Sequence, residues 1–439
     1  SCFSQDQVKK ILLMTLLEEL PGTLLERLFS AADAASLIAD MTGKNRFFRQ
    51  LDGEVPLFSF HHLFRESLLP LCESRMTDHQ RRDILRQASC YHLEKGEPLR
   101  ALHYSARIAD FSFFESVLRD FGLLLLHSNK VKTLQRILDS IPLQYINDHA
   151  WLSFYFGACK QDSEPARALP FLHNAKKLFA DTDDVIGLLV TNSQLIEYHT
   201  IIDGQFNTMQ KYVEELETVF SLRRHDLPLS LQLRMSYSLA VGFCFLQMNM
   251  EKVRHYDTWV LKTSVEHGLE NMSAMARLIR AYRYSFVGNW KGCLEELEAS
   301  LPFVANPLVN GLTRLFIYPL QVNLLEMTGD FIIYREQRKE LVCVGEQDAL
   351  VQSVIGPLLA VLNADMALAE GDIDGVEGYI EQGLQNSHAG AKPHLRSQFL
   401  FYQAMMYAVK GQRDKALTAI SESLSSCLYC VFFISKADT

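Results

Sequence analysis

The sequence predicts an all-α chain interrupted once by a β-hairpin, with a small N-terminal unit followed by a long array of helix pairs. Three observations carry that expectation. Apolar residues recur at helical spacing through most of the chain, as at Val8, Ile11, Leu12, Leu16 and Leu20, the stripe of an amphipathic helix. Two aromatic-rich runs, at 47–51 and 57–60, flank an Asp52-Gly53 pair, which is hairpin chemistry. Beyond about residue 150, turn signals return roughly every 40 residues, the period of a two-helix repeat.

Bulk properties bound the function. At 439 residues the chain exceeds one ordinary core, and 48% hydrophobic with 22% charged residues marks a folded protein. A net charge of −9 disfavours a nucleic-acid surface over the whole chain. The nine cysteines are dispersed in helical stretches and the single CxxC, Cys427 to Cys430, has no second pair, so neither a zinc site nor a disulfide framework is expected. Dispersed thiols suit a reducing cytoplasm. No apolar run reads as a membrane span and no signal peptide is visible. The chain opens at Ser1, without Met and already in pattern, and reads as part of something longer.

Taken in order, a helix is expected over 5–20, stopped by Pro21-Gly22. A second follows at 23–30, and Asp33 is placed to cap a third over 34–42, closed by Gly43. The hairpin comes next, and FSFHHLFRESL carries the chain from its second strand into a fourth helix. Three helices, a two-stranded wing and a further helix make the winged-helix pattern, assigned to residues 1–75. Its third helix, AASLIADMT, offers no Arg or Lys, so this unit is not expected to read DNA.

These residues resemble the winged-helix segment of the MalT-like, LuxR-associated branch of the signal-transducing ATPases with numerous domains (STAND). The shared positions are Asn45, Phe47, Phe58, Phe60, His61, His62, Leu63, Phe64 and Arg65. Tyr91, Gly96, Ala101, His103 and Tyr104 fit the segment that follows. The resemblance covers roughly residues 20–140. It implies the regulatory part of an ATP-dependent transcriptional regulator: an ATPase preceding this chain, and a LuxR-type helix-turn-helix or other output domain following it. It further implies ATP or ADP as the cofactor of the whole protein, a cytoplasmic location, self-association, and DNA contact only through a domain outside this stretch. In related switches a Met-His-Asp-Leu-Leu box at the strand-to-helix junction contacts ADP phosphate. Phe60-His61-His62-Leu63-Phe64 lies onto it, which makes His61 the implied nucleotide sensor. Without the resemblance, His61 and His62 read as residues that finish the strand or pack the wing. No GxxxxGK[ST] occurs, so no cofactor and no catalysis are expected of this stretch itself. Nor does any GxSxG or HExxH point to hydrolysis.

A helical bridge is assigned to 76–150 and a tetratricopeptide-like superhelix to 151–439. Turns fall at Asp203-Gly204, Asn249, Gly288-Asn289, Gly329-Asp330, Gly371-Asp372 and Gly411-Gln412. Seven positions before the later turns stand Gly242, Ala281, Val322, Ala364 and Ala404, small side chains where helices approach closely. Eight before them stand Val241, Arg280, Gln321, Asn363 and Gln403; fifteen before, Arg234, Ser273, Arg314, Gly356 and Arg396. Both columns share one helical face. If that face is concave, its guanidinium and amide groups suit a hydroxylated or anionic inducer, with Tyr284, Tyr318 and Tyr402 as stacking faces. If it faces outward, it is a solvated surface with the tyrosines in the core. A groove for a regulatory protein segment, making the array an interaction scaffold, is the competing reading. Arg81-Arg82 and Arg223-Arg224-His225 read as solvated linker charges, Met405-Met406 as core, and the apolar tail CLYCVFFISKADT as a packing or docking segment.

Overall fold

The structure is a computed structural model. It describes residues 3–44, 47–51, 56–108, 110–126, 131–161, 163–246, 249–304, 306, 309, 313, 317, 349–386 and 393–427. Two compact units divide the chain, Ser1–Tyr155 and Phe156–Thr439.

In the first unit, α1 (Gln5–Met14) opens on a capping box: Ser4 Oγ accepts from Gln7 N at 3.1 Å and Gln7 Oε1 accepts from Ser4 N at 3.0 Å. The helix ends at Met14, well short of the expected residue 20. Thr15 Oγ1 takes the carbonyl of Leu12 at 2.6 Å, and three short i→i+3 bonds tighten the chain through Leu17. Leu16, Leu17 and Leu20 stay buried without being helical. Leu20–Pro21 then forms a two-residue strand, β1, followed by α2 (Gly22–Phe29) and α3 (Ala31–Lys44). Helix α3 starts directly after Ser30, whose φ is +76°. Asp33 is therefore inside the first turn and pairs with Lys10 at 3.0 Å instead of capping; the helix runs through Gly43.

Strands β2 (Phe48–Leu51) and β3 (Leu57–Phe60) pair antiparallel, Phe48 opposite Phe60 and Leu51 opposite Leu57. β1 adds to the other side of β3, Leu20 opposite Phe58, giving the order β1-β3-β2. The wing is thus three-stranded, not two-stranded. Pro21, with no N–H to give, is tolerated because β1 is an edge. The Asp52-Gly53 turn lies outside the described residues. Helices α4 (His62–Arg75), α5 (Asp78–Glu94), α6 (Pro98–Ile108), α7 (Phe111–Leu126), α8 (Val131–Asp139), α9 (Leu143–Asp148) and α10 (Ala150–Lys160) follow. One apolar cluster runs from Ile11 through Phe48, Phe58 and Phe60 to Tyr104 and Ile108, so α5 and α6 share the core of the winged helix.

The second unit stacks helix pairs: α11 (Pro165–Asp181), α12 (Val185–Glu197), α13 (Phe206–Arg223), α14 (Leu229–Leu246), α15 (Met250–Glu266), α16 (Glu270–Phe286) and α17 (Trp290–Glu298). Ala349–Glu370 pairs with Ile373–Asn386, and Pro393–Val409 with Arg413–Cys427. Each first helix packs on its predecessor, α12 on α14 and α14 on α16, in the manner of a tetratricopeptide-like α-superhelix. The predicted turns at Gly288, Gly371 and Gly411 have φ of +70°, +78° and +73°. In each, the next N–H reaches back five residues, as Asp372 N to Ala367 O at 2.8 Å, the C-terminal cap that favours glycine. Asn249 caps α15 by accepting from Lys252 N at 3.0 Å. Gly329-Asp330 lies outside the described residues.

One sequence expectation needs correction. Helix α14 spans 18 residues at a mean hydropathy of 1.3, long and apolar enough to cross a membrane. It is apolar because it packs on both neighbouring pairs; 61% of it is buried, and it carries Arg234 bonded inside the unit.

Candidate functional site

The strand-to-helix junction is built by aromatic packing. Phe48 stacks on Phe58 and meets Phe60, and Phe60 meets Phe64 at 5.9 Å. Phe47, 52% exposed, stacks on Phe64 at 5.3 Å. His61 is the N-cap residue of α4: its N–H donates to Phe47 O at 2.7 Å, finishing the ladder, while its side chain makes no capping bond. The His61 ring lies 4.6 Å from that of His62, and both are exposed. No acidic residue occupies the first turn of α4. An exposed imidazole pair at a helix start without an acidic side chain is an environment that accepts an anion.

Arg65, in the same motif, does a different job. Its Nε donates to Thr15 O at 2.9 Å, and Arg107 Nη1 donates to Leu16 O at 2.6 Å. Two cations thus hold the carbonyl end of α1, where the helix dipole favours positive charge. Arg65→Ala is expected to cost about 1.5–3 kcal/mol, the worth of a charged hydrogen bond to a part-buried acceptor. Lost hydrogen-exchange protection in α1 and α4 measures it. The same crowding bears on His103, which is Nε2-to-Oε1 3.4 Å from Glu18. Burial, with the Arg107 and Arg65 charges, holds its imidazole below the usual histidine range against the pull of Glu18.

In the second unit the polar stripe is pulled in different directions. Arg234 is buried; its Nε donates to Ser193 at 3.1 Å and its Nη2 to Gln194 at 2.7 Å, both on α12. The path continues from Gln194 to Gln161 at 2.8 Å and from Gln161 to Glu197 at 3.1 Å. Arg280 instead turns toward α15 and α17, donating to Thr258 at 3.3 Å and to Glu296 at 3.2 Å. There a five-membered ionic chain forms. Glu296 takes Arg277 at 2.9 Å as well, and Asp257, fully buried, takes Arg283 at 2.6 Å with Arg280 Nε at 3.5 Å. Burial opposes the Arg283 charge, but the bond to Asp257 overrides it and holds the guanidinium above its usual range. The neighbouring thiol of Cys293 is pushed up to about 12 by burial and by Glu296, which leaves it unreactive.

The other stripe residues divide. Asn363 and Gln403 are half-buried and Arg396 is exposed. Tyr284 is half-buried against the Cys293–Leu297 cluster with Arg283 over its ring at 4.4 Å, and Tyr402 is core. Arg314, Tyr318 and Gln321 lie outside the described residues. Arg234 and Arg280 therefore engage separate networks. Sequence reasoning missed their partners: Gln161, Gln194, Asp257 and Glu296 belong to elements outside the two columns. Asp257 left one signal, an acidic residue in register with Val253, Tyr256, Val260 and Leu261 on the apolar side of α15.

Comparison with known proteins bears first on the junction. The family model of the MalT winged helix domain matches residues 2–80. Over that stretch the chain is similar to the MalT winged helix domain. The HTH-type transcriptional regulator MalT of Vibrio parahaemolyticus is 25% identical over 147 residues, 32% of this chain and 16% of that protein. MalT of Vibrio campbellii is 26% identical over 150 residues, 34% of this chain and 16% of that protein. The MalT match thus spans about a sixth of the length of these relatives. Among solved structures, a STAND protein with a tetratricopeptide repeat sensor from Pyrococcus horikoshii aligns at a TM-score of 0.55 and 10% identity. It covers 97% of this chain and 64% of its own. That likeness is one of fold alone.

Proposed function

We propose that this chain is the sensor and relay region of a MalT-like, ATP-dependent transcriptional regulator that works in the cytoplasm. The observation that carries the reading is the junction: a MalT-type winged helix with an exposed His61 at the start of α4, joined in one polypeptide to an array of helix pairs. The exposed face of α4, with Leu63 at 61% and Leu71 at 41% beside Phe47, suits contact with the regulator's own ATPase domain. His61 would then meet a phosphate of ADP held by that domain, stabilising a closed form. A small-molecule inducer or regulatory protein binding the repeats better in the open form would shift the balance to an ATP-bound, self-associating state. DNA would be contacted through a separate output domain.

Within the repeats, Arg280, Arg314, Gln321, Asn363, Arg396, Gln403, Tyr284 and Tyr318 remain the candidate ligand groups, with Arg234 behind them. The internal bonds of Arg234 and Arg280 favour a second reading, in which the array grips a protein segment and these arginines shape it without touching the partner. The test uses the full-length protein. His61→Ala is expected to weaken ADP retention at least about tenfold and to lower the inducer requirement. A variant that holds ADP like wild type and still needs its inducer removes His61 from the mechanism. Unchanged inducer binding in Arg280→Ala and Arg314→Ala removes the stripe.

A further inference from the structure

The N-terminal unit holds an open groove of about 700 Å³ that the reading above does not use. It lies between the first turns of α5, the start of α7, and the α9–α10 connection; His79, Arg82, Arg86, Phe111, Tyr145 and His149 line it. The volume is that of small-molecule sites in general. What matters is which of its polar groups are already engaged.

Each carboxylate in or behind it already accepts at least one hydrogen bond. Asp83 accepts from Gln87 Nε2 at 2.8 Å. Asp110 pairs with Arg86 and accepts from Phe113 N at 3.1 Å, capping α7. Glu115, behind His149, accepts from its Nδ1 at 2.8 Å and from Trp151 N at 3.0 Å. Arg82 differs: it is exposed on the groove wall and has no ion pair or hydrogen bond among the described residues. Its neighbour Arg81 is bound to Asp78 on its own helix, so the Arg81-Arg82 pair divides into one structural and one uncommitted cation. Arg82 is therefore an unpaired guanidinium of the groove among the described residues, with Asp83 beside it in the chain meeting an amide and no cation. The groove also has an aromatic wall: Phe111 is buried and packs on Tyr145 at 4.2 Å between ring centres, while Tyr145 is 43% exposed. A tyrosine braced by Phe111 and an uncommitted guanidinium lining the same groove offer a stacking face and a charge to one molecule.

We propose that this groove binds a small aromatic organic anion, a planar ring bearing a phosphate or carboxylate, with Arg82 meeting the anion and Tyr145 stacking on the ring. The inference stands independently of the regulator reading, since it uses only groups within this unit. Isothermal titration of the purified chain with 1-naphthyl phosphate and with 1-naphthoate tests it, with 1-naphthol and inorganic phosphate as the ring-only and anion-only controls. At least one of the two anions is expected to bind with Kd below about 1 mM, and both controls at least about tenfold more weakly. Arg82→Ala and Tyr145→Ala should each lower affinity about tenfold or more, and Tyr145→Phe should retain it. Circular dichroism checks that these surface variants stay folded. Three results overturn the proposal: neither anion binding below that limit, inorganic phosphate binding as well as the aromatic anions, or affinity unmoved by both alanine variants.

Discussion

Asp257→Ala is expected to destabilise the repeat unit by about 3–5 kcal/mol, the cost of removing one partner from a buried ion pair. The carboxylate is completely buried, bonded to Arg283 Nε at 2.6 Å and to Thr258 Oγ1 at 3.0 Å, with Arg280 close by. Arg283 and Arg280 have side chains only 11% and 17% exposed, so neither regains water when the acid is lost. Glu296, which meets Arg277 and Arg280, is then the one carboxylate left in a chain of three guanidiniums. Asp257→Asn keeps the shape but not the charge and should fall between alanine and wild type. Because a buried pair returns little net stability over a well-packed apolar pair, Asp257→Leu combined with Arg283→Met should recover much of the loss. Denaturant unfolding followed by far-ultraviolet circular dichroism reads all three. An alanine variant within about 0.5 kcal/mol of wild type, the range of an ordinary surface change, would show that the acid is not the hub of this network.

Asp257 also marks where the sequence stops being legible. The turns were readable because a left-handed residue followed by an Asn or Asp cap leaves a local signature, as at Gly288-Asn289 and Gly371-Asp372. The hairpin was readable because Phe48, Phe58 and Phe60 alternate inward. Strand β1 was not, since two residues ending in proline have no periodicity and owe their conformation to β3. The early end of α1 depends on the Thr15 hydroxyl and on arginines 50 and 91 residues further along, beyond any local pattern. The stripe shows the same limit. Registering residues on turns correctly found positions facing neighbouring helices, but could not tell a guanidinium lining a groove from one bonded within the unit. His61 enters by resemblance alone, and what the fold itself shows is an exposed imidazole at the head of α4. Arg82 was passed over because charge beside charge on an amphipathic helix looks like solvated surface; only the fold brings Tyr145 into the same groove.

Gly242→Leu is expected to cost at least about 3 kcal/mol, above the usual range for an overpacked core because nothing nearby can yield. Even a single Cβ at Gly242 meets Val213 Cγ2 at 2.4 Å, with Val213 Cγ1 at 3.3 Å. Val213 is itself fully buried on α13 and β-branched, so its rotamer is fixed by its own helix. Gly242→Ala alone should therefore cost about 1–3 kcal/mol, and Val213→Ala in the same chain should return part of it by removing the clashing methyl. Position matters more than residue type here. Ala281 and Ala364, one and three turns later in the same register, are equally buried yet each accommodates its methyl. Gly356, in the helix Ala349–Glu370, has nothing within 4 Å of an added Cβ; alanine there should be neutral or stabilising by up to about 1 kcal/mol through helix propensity. Denaturation midpoints of the four variants separate close helix approach from backbone freedom. If Gly242→Ala unfolds like wild type while Gly356→Ala does not, the column of small residues reflects something other than the contact between α13 and α14.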